Sequence, residues 1–156
     1  MNYHFVDRAT FQAMVDDEAF IEHAEVFGNF YGTSKDSVNT ALGSGADVVL
    51  EIDWQGAALV RQVLPETVSI FIVPPSQEAL RERLLQRAQD DPEVIESRLN
   101  EARGEMQHHH EFDYLVINDD FDTALSELRA IILAERCRQR HRSKSHRALL
   151  AALLRP

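Results

Sequence analysis

Three short apolar runs set the limits on what this chain can fold into. Val48–Ile52, Val68–Val73 and Tyr114–Ile117 are continuous and rich in β-branched residues. Runs of that length read as strands covered on both faces, because such strands have no solvent side to keep polar. The stretches between them repeat apolar residues at helical spacing. Strands alternating with helices define an α/β fold around a parallel core sheet. Two further strands are expected over His4–Val6 and Glu22–Phe27.

The helices carry readable ends. Asp7 is placed to cap one over Ala9–Val15, and Ser34 a second that stops at Gly43-Ser44-Gly45. Trp54–Val63 repeats apolar residues at Leu59, Val60 and Val63. Pro75-Ser76 opens a helix with Leu80 and Leu84, and Pro92 one with Ile95, Leu99, Ala102 and Met106 on one face. Leu125, Leu128, Ile131 and Ile132 mark a long C-terminal helix. Leu149, Leu150, Leu153 and Leu154 form a last apolar stripe, expected to pack. The segment Asp16–Thr33 breaks this rhythm. It is strand-rich, sets Phe20, Phe27, Phe30 and Tyr31 close to Glu22 and Glu25, and reads as a small β subdomain. Gln86–Glu93 is polar and reads as a loop joining two helices.

A chain of 156 residues fits one domain with room for a small subdomain. No apolar stretch is long enough to span a bilayer, and no basic start with an apolar run follows Met1. Cys137 is the single cysteine, so no internal disulfide can form. These features lead to the expectation of a cytoplasmic protein. All 26 acidic residues lie in residues 1–135, whereas residues 136–156 hold seven of the 16 basic ones. A basic tail can meet nucleic acid, but the acidic body repels phosphate backbones and no aromatic residue interleaves with the tail arginines. Neither nucleic acid nor a membrane is expected as a partner.

Candidate chemistry gathers at few positions. Asp53 closes an apolar strand, which places a carboxylate at the carboxyl edge of a parallel sheet, where α/β proteins bind ligands; it is equally a cap for the next helix. Glu22 could accept the adjacent N1–H and N2–H donors of guanine, a pair that adenine lacks. The alternative is a solvent-facing strand residue. Tyr3 and Tyr31 could donate to a phosphate, or pack with satisfied hydroxyls. Thr33 could meet a base edge or cap a helix. Arg83, Arg87 and Arg98 flank the polar loop, where arginines can neutralise a transferring phosphoryl or simply pair with Glu82 and Glu96. His108-His109-His110 cannot chelate together from a helix, because consecutive residues point apart.

Taken jointly, these pieces resemble bacterial guanylate kinases over nearly the whole chain. The resemblance rests on Tyr3-His4-Phe5-Val6, Phe20-Ile21-Glu22-His23-Ala24-Glu25-Val26, Phe27-Gly28-Asn29-Phe30-Tyr31-Gly32-Thr33, Glu51-Ile52-Asp53-Trp54-Gln55-Gly56, Pro74-Pro75-Ser76 and Val116-Ile117-Asn118-Asp119-Asp120. It implies a phosphate-loop-kinase core sheet flanked by helices, with a small GMP-binding β subdomain and a helical lid. The implied layout is a kinase-like domain over 1–140, the subdomain over about 1–33, the lid over 76–106, and a basic helical tail over 141–156. It also implies transfer of the ATP γ-phosphoryl to GMP with Mg²⁺. Carried over by position, Glu22 and Thr33 read guanine, Tyr3 and Tyr31 hold the GMP phosphate, and Asp53 lies in the acceptor site near the metal. Arg83, Arg87 and Arg98 stabilise the transferred phosphoryl, and Asn118 lies near the adenine. No protein metal ligand is assigned.

Two departures stand out. No G-x-x-x-x-G-K-[ST] loop occurs in these 156 residues, and neither lysine, Lys35 or Lys144, follows a glycine. The first core strand and phosphate loop are therefore expected to be absent, leaving a marginal chain with little or no kinase activity alone. In the lid, Gln86-Arg87-Ala88 stands where the family usually shows Gly-Arg-Gly. Two alternatives remain at this stage: a non-catalytic binding module of the same fold, or a kinase for a phosphorylated ribose.

Overall fold

The computed structural model describes residues 4–26, 28–87, 92–138 and 146–155. They form two compact units, Met1–Ser69 and Ile70–Pro156.

In the first unit, α1 (Arg8–Asp16) precedes a hairpin of β1 (Phe20–Val26) and β2 (Asn29–Ser34), followed by α2 (Lys35–Gly43) and α3 (Trp54–Val63). The expected caps form. Asp7 accepts the Thr10 backbone N–H at 2.7 Å, and Ser34 that of Ser37 at 3.3 Å. Bonding from the backbone and side chain of Thr10 holds the exposed Asp7 carboxyl below its ordinary range.

The hairpin is antiparallel, pairing Glu22 with Thr33, His23 with Gly32 and Ala24 with Tyr31. Its register shifts between Phe20 and Glu22, because Phe20 pairs with Ser34. Two steps along β1 therefore match one step along β2, and Ile21 is the extra residue of a bulge. The bulge divides the side chains. Phe20, His23 and Phe30 gather on one face around Phe11 of α1, with Phe11 stacked on Phe20 at 4.8 Å and tilted against Phe30 at 5.4 Å. Glu22, Ala24, Tyr31 and Thr33 share the other face. Ile21 turns into the buried core with Val38 of α2 and Val60 of α3.

Val48, Leu50 and Ile52 pack against that core, but the expected strand Val48–Ile52 does not form. Residues 46–53 make no ladder with any described strand, and Val49 is 69% exposed. The segment is covered on one side only, its burial alternating from Val48 to Asp53; a ladder needs a neighbour offering free N–H and C=O groups along its length. His4–Val6 forms no strand with any described residue either, and Phe5 is exposed.

The second unit runs β3 (Ile70–Val73), α4 (Gln77–Arg87), α5 (Pro92–Met106), a 3₁₀ turn (Gln107–Glu111), β4 (Tyr114–Ile117), α6 (Phe121–Cys137) and α7 (Arg147–Leu153). Strands β3 and β4 pair in parallel, Ile70 with Tyr114 through Val73 with Ile117. The strand thus starts at Ile70 rather than Val68. The pair is also incompletely covered, since Ile72 on one face and Leu115 and Ile117 on the other are half exposed; full coverage of both faces is not observed. Ile95 and Leu99 bury the inner face of α5. Ser76 accepts the Ala79 N–H at 3.1 Å, and Asp120 caps α6 through Thr123. Near the other end of α6, buried Glu135 accepts from the Tyr114 hydroxyl at 2.6 Å and from Arg138 at 2.7 Å. The stripe Leu149, Leu150, Leu153 and Leu154 stays exposed, contrary to expectation; a helix of two turns offers little area to offset its ordering. The loop expected over Gln86–Glu93 falls largely outside the described residues, with Gln86 and Arg87 ending α4 and Pro92 opening α5.

Candidate functional site

The polar face of the hairpin holds one buried carboxylate. Glu22 is 9% exposed, and the Thr33 hydroxyl donates to its Oε1. Burying a charged group without partners is costly, so an acid kept here by a directly opposing hydroxyl is a built arrangement. Tyr31 lies on the same face, two residues along β2 and 46% exposed. The third part comes from α3. Asp53 caps it by accepting the Gly56 N–H at 2.7 Å. A Cβ on Gly56 would stand 3.5 Å from Glu22 Oε2 and 3.3 Å from Asp53 Oδ1. Gly56 thus joins the two carboxylates that the sequence singles out separately.

A cavity of about 210 Å³ borders Glu22 on the side of Val15, Phe20, Leu59, Val63 and Lys35. It touches neither Thr33, Tyr31 nor Asp53, and it falls below the ~300 Å³ at which ligand pockets begin. The candidate site is the hairpin face rather than this hole.

In the second unit, polar groups collect at the carboxyl ends of the two parallel strands. The Asn118 backbone N–H donates to the Val73 carbonyl at 2.8 Å, which extends the β3–β4 ladder by one bond. Arg83 reaches the next residue, its Nη2 donating to the Asp119 carbonyl at 3.4 Å. This edge is where open α/β sheets bind ligands. Arg98 is half-buried on α5, and Arg87 ends α4. Glu96, one of the two carboxylates weighed as partners for these arginines, is engaged by Arg81 at 2.7 Å. Tyr3 lies outside the described residues. His108 pairs with Glu111 at 2.6 Å, and His109 and His110 bond carbonyls of the preceding turn. No group of three or more His, Cys, Asp or Glu that could hold a metal occurs among the described residues. Nor is any described helix long and apolar enough to cross a membrane.

Gly56 carried no role in the sequence, although a signal was present. A glycine in the first turn of a helix gives up about 1 kcal/mol of helix propensity relative to alanine, so its presence points to a close approach by a neighbour.

A parallel strand pair with polar groups at its carboxyl edge is where α/β proteins bind ligands, and the hairpin separately presents a buried acid. Comparison with known proteins narrows the class. The family model for guanylate kinase matches residues 1–135. The guanylate kinase of Alkalilimnicola ehrlichii is 56% identical over 155 residues, 99% of this chain and 74% of that protein. That of Escherichia coli K12 is 51% identical over 153 residues, 98% of this chain and 74% of the other. A crystal structure of guanylate kinase from Anaplasma phagocytophilum superposes with a TM-score of 0.72 at 37% identity, covering 88% of this chain and 66% of that one. The chain belongs to the guanylate kinase family, enzymes of the nucleoside monophosphate kinase class.

Proposed function

We propose that this chain serves the guanylate kinase reaction, with little or no phosphoryl transfer from these 156 residues alone because they hold no G-x-x-x-x-G-K-[ST] loop, and that the polar face of its β1–β2 hairpin reads the guanine of GMP. The observation that carries the reading is Glu22, buried and steadied at one oxygen by Thr33. A carboxylate has acceptor capacity beyond that single bond, enough for the N1–H and N2–H of guanine. Adenine would leave it unsatisfied, which is the strongest form of discrimination a polar site can make. Thr33 keeps hydroxyl lone pairs for a base edge while its proton goes to Glu22. Tyr31, half exposed on the same face, donates to the GMP phosphate in this reading. Tyr3 is assigned the same task.

In the reaction, an oxygen of the GMP phosphate forms the new bond to the γ-phosphorus of ATP, and the bond from that phosphorus to the β–γ bridging oxygen breaks, giving GDP and ADP. Guanylate kinases in general use ATP with Mg²⁺, which supplies the phosphoryl group and charge neutralisation. The residues of this chain contribute position and positive charge. Arg83, Arg87 and Arg98 neutralise the moving phosphoryl, and Asn118 lies by the adenine. Asp53 is the carboxylate that would face the ion; a nucleotide-borne Mg²⁺ needs only one or two such groups beside phosphates and water, and no larger acidic cluster occurs among the described residues. The partners are thus GMP and ATP, in a cytoplasmic setting consistent with a single cysteine.

The 156-residue chain should bind GMP more tightly than AMP in a calorimetric titration, and Glu22→Ala should remove that preference. Equal affinity for both nucleotides in the unmodified chain would falsify the reading. The other two possibilities make opposite predictions. A phosphopeptide module would gain no stability from GMP, and a ribose-phosphate kinase would ignore the base.

A further inference from the structure

We infer that Gly32 is a positioning residue: the side chain it lacks leaves the space in which the Phe20 ring lies, and that ring pins the bulge that turns Glu22 towards Thr33. The inference rests on the guanine-reading role of Glu22. Gly32 stands within β2, directly opposite His23. Glycine weakens a strand interior, so one placed there needs a reason. Conformation is not the reason, since the described residues with positive φ are Glu18, Gly28 and Gly45. Space is. A Cβ on Gly32 would stand 2.7 Å from Phe20 Cδ1, 2.9 Å from Cε1 and 3.0 Å from Cγ. The nearest of these is about 1 Å inside the ~3.5 Å at which two carbons rest. Because the root of the ring is struck as well as its edge, the whole side chain would have to move, not its tip. Its retreat is hindered: the ring stacks on Phe11 at 4.8 Å, and Phe11 is buried and also meets Phe30 at 5.4 Å.

The ring matters to the acid because both belong to one bulge. Phe20 pairs with Ser34 and Glu22 with the adjacent Thr33, so the extra residue lies between them. An aromatic ring laid over a glycine of the neighbouring strand holds strand register, and register decides which face a side chain takes. Here the ring crosses from β1 to β2 at the step where the count is uneven. Phe20 on the aromatic face and Glu22 on the polar face are thus set together. With a methyl at position 32 the ring and the ladder cannot both stay as they are, and the pairing of Glu22 with Thr33 loosens.

The test titrates GMP and AMP into the full chain, Gly32→Ala, Phe20→Ala, the two combined, and Glu22→Ala, with urea midpoints measured alongside. Gly32→Ala should lower GMP affinity about tenfold, as for one misplaced hydrogen bond, and AMP affinity by much less. Phe20→Ala removes all three atoms that the methyl would strike. The combined variant should therefore prefer GMP more strongly than Gly32→Ala does, although it carries one truncation more; independent losses of packing predict the reverse. If Gly32→Ala keeps the unmodified preference while its urea midpoint falls, Gly32 is a packing position and the inference is overturned, with the Glu22 reading intact. A combined variant no more selective than Gly32→Ala overturns it too. If Gly32→Ala does not fold, the combined variant must fold and still prefer GMP, and failure of either overturns the inference. An unmodified chain with no preference for Glu22→Ala to remove overturns the guanine reading itself, and this inference with it.

Discussion

The hydroxyl proton of Thr33 is directed at Glu22, so the threonine acts on the ligand chiefly through the acid. Thr33→Val keeps the shape and removes the donor, leaving a buried carboxylate short of one bond at a cost of about 1–3 kcal/mol. The expected outcome is a matching drop in urea stability and at least a tenfold loss of GMP affinity, with Thr33→Ser retaining most of both. An unchanged urea midpoint for Thr33→Val would show that the hydroxyl does not support the acid. At this scale the sequence is informative where chemistry is local. Glu22, Thr33 and Asp53 can be nominated from what guanine and phosphate require, and the structure brings the three together around α3.

Among the elements, helix ends follow local rules and strands do not. Asp7, Ser34 and Asp120 cap where their side chains dictate, since a cap is settled within four residues. Val48–Ile52 has strand composition but no ladder, because pairing depends on a neighbour that no local pattern specifies. The Asp120 cap makes a pH prediction. Bonding from the Thr123 hydroxyl, then from its backbone N–H, holds this exposed carboxyl below its ordinary value of 3.8. A carboxyl depressed by folding stabilises the chain fully above that ordinary value, and the contribution fades as pH falls towards the lower folded value. Helicity followed by circular dichroism should therefore fall in acid partly through the start of α6. Asp120→Asn keeps an acceptor that cannot titrate and should remove that part of the slope; superimposable acid profiles for the two chains would exclude it.

Over the whole molecule, the residues proposed to read GMP lie in one compact unit and the arginines proposed to neutralise the phosphoryl in the other. GMP at one hundred times its Kd stabilises whatever it binds by about 2.7 kcal/mol. With GMP alone, slowed amide exchange is expected in β1, β2 and the first turn of α3, with little change in α6. Slowing confined to α6 and β4 would place the nucleotide elsewhere. The basic tail and the exposed leucines of α7 enter none of this. Their composition is plain in the sequence, but it does not say what they meet.

The bulge at Ile21 gives β1 something like a reading frame. Ahead of it the even position faces the aromatic side, and after it His23, an odd one, does, so Phe20 joins the aromatic cluster while Glu22 joins Thr33. A substitution in this strand alters one letter. Loss of a single residue between Phe20 and Glu22 would shift the frame, turning the acid towards Phe11 or the phenylalanine towards the nucleotide. The hairpin is therefore more forgiving of spelling than of length, and its count of residues is itself part of the proposed binding site.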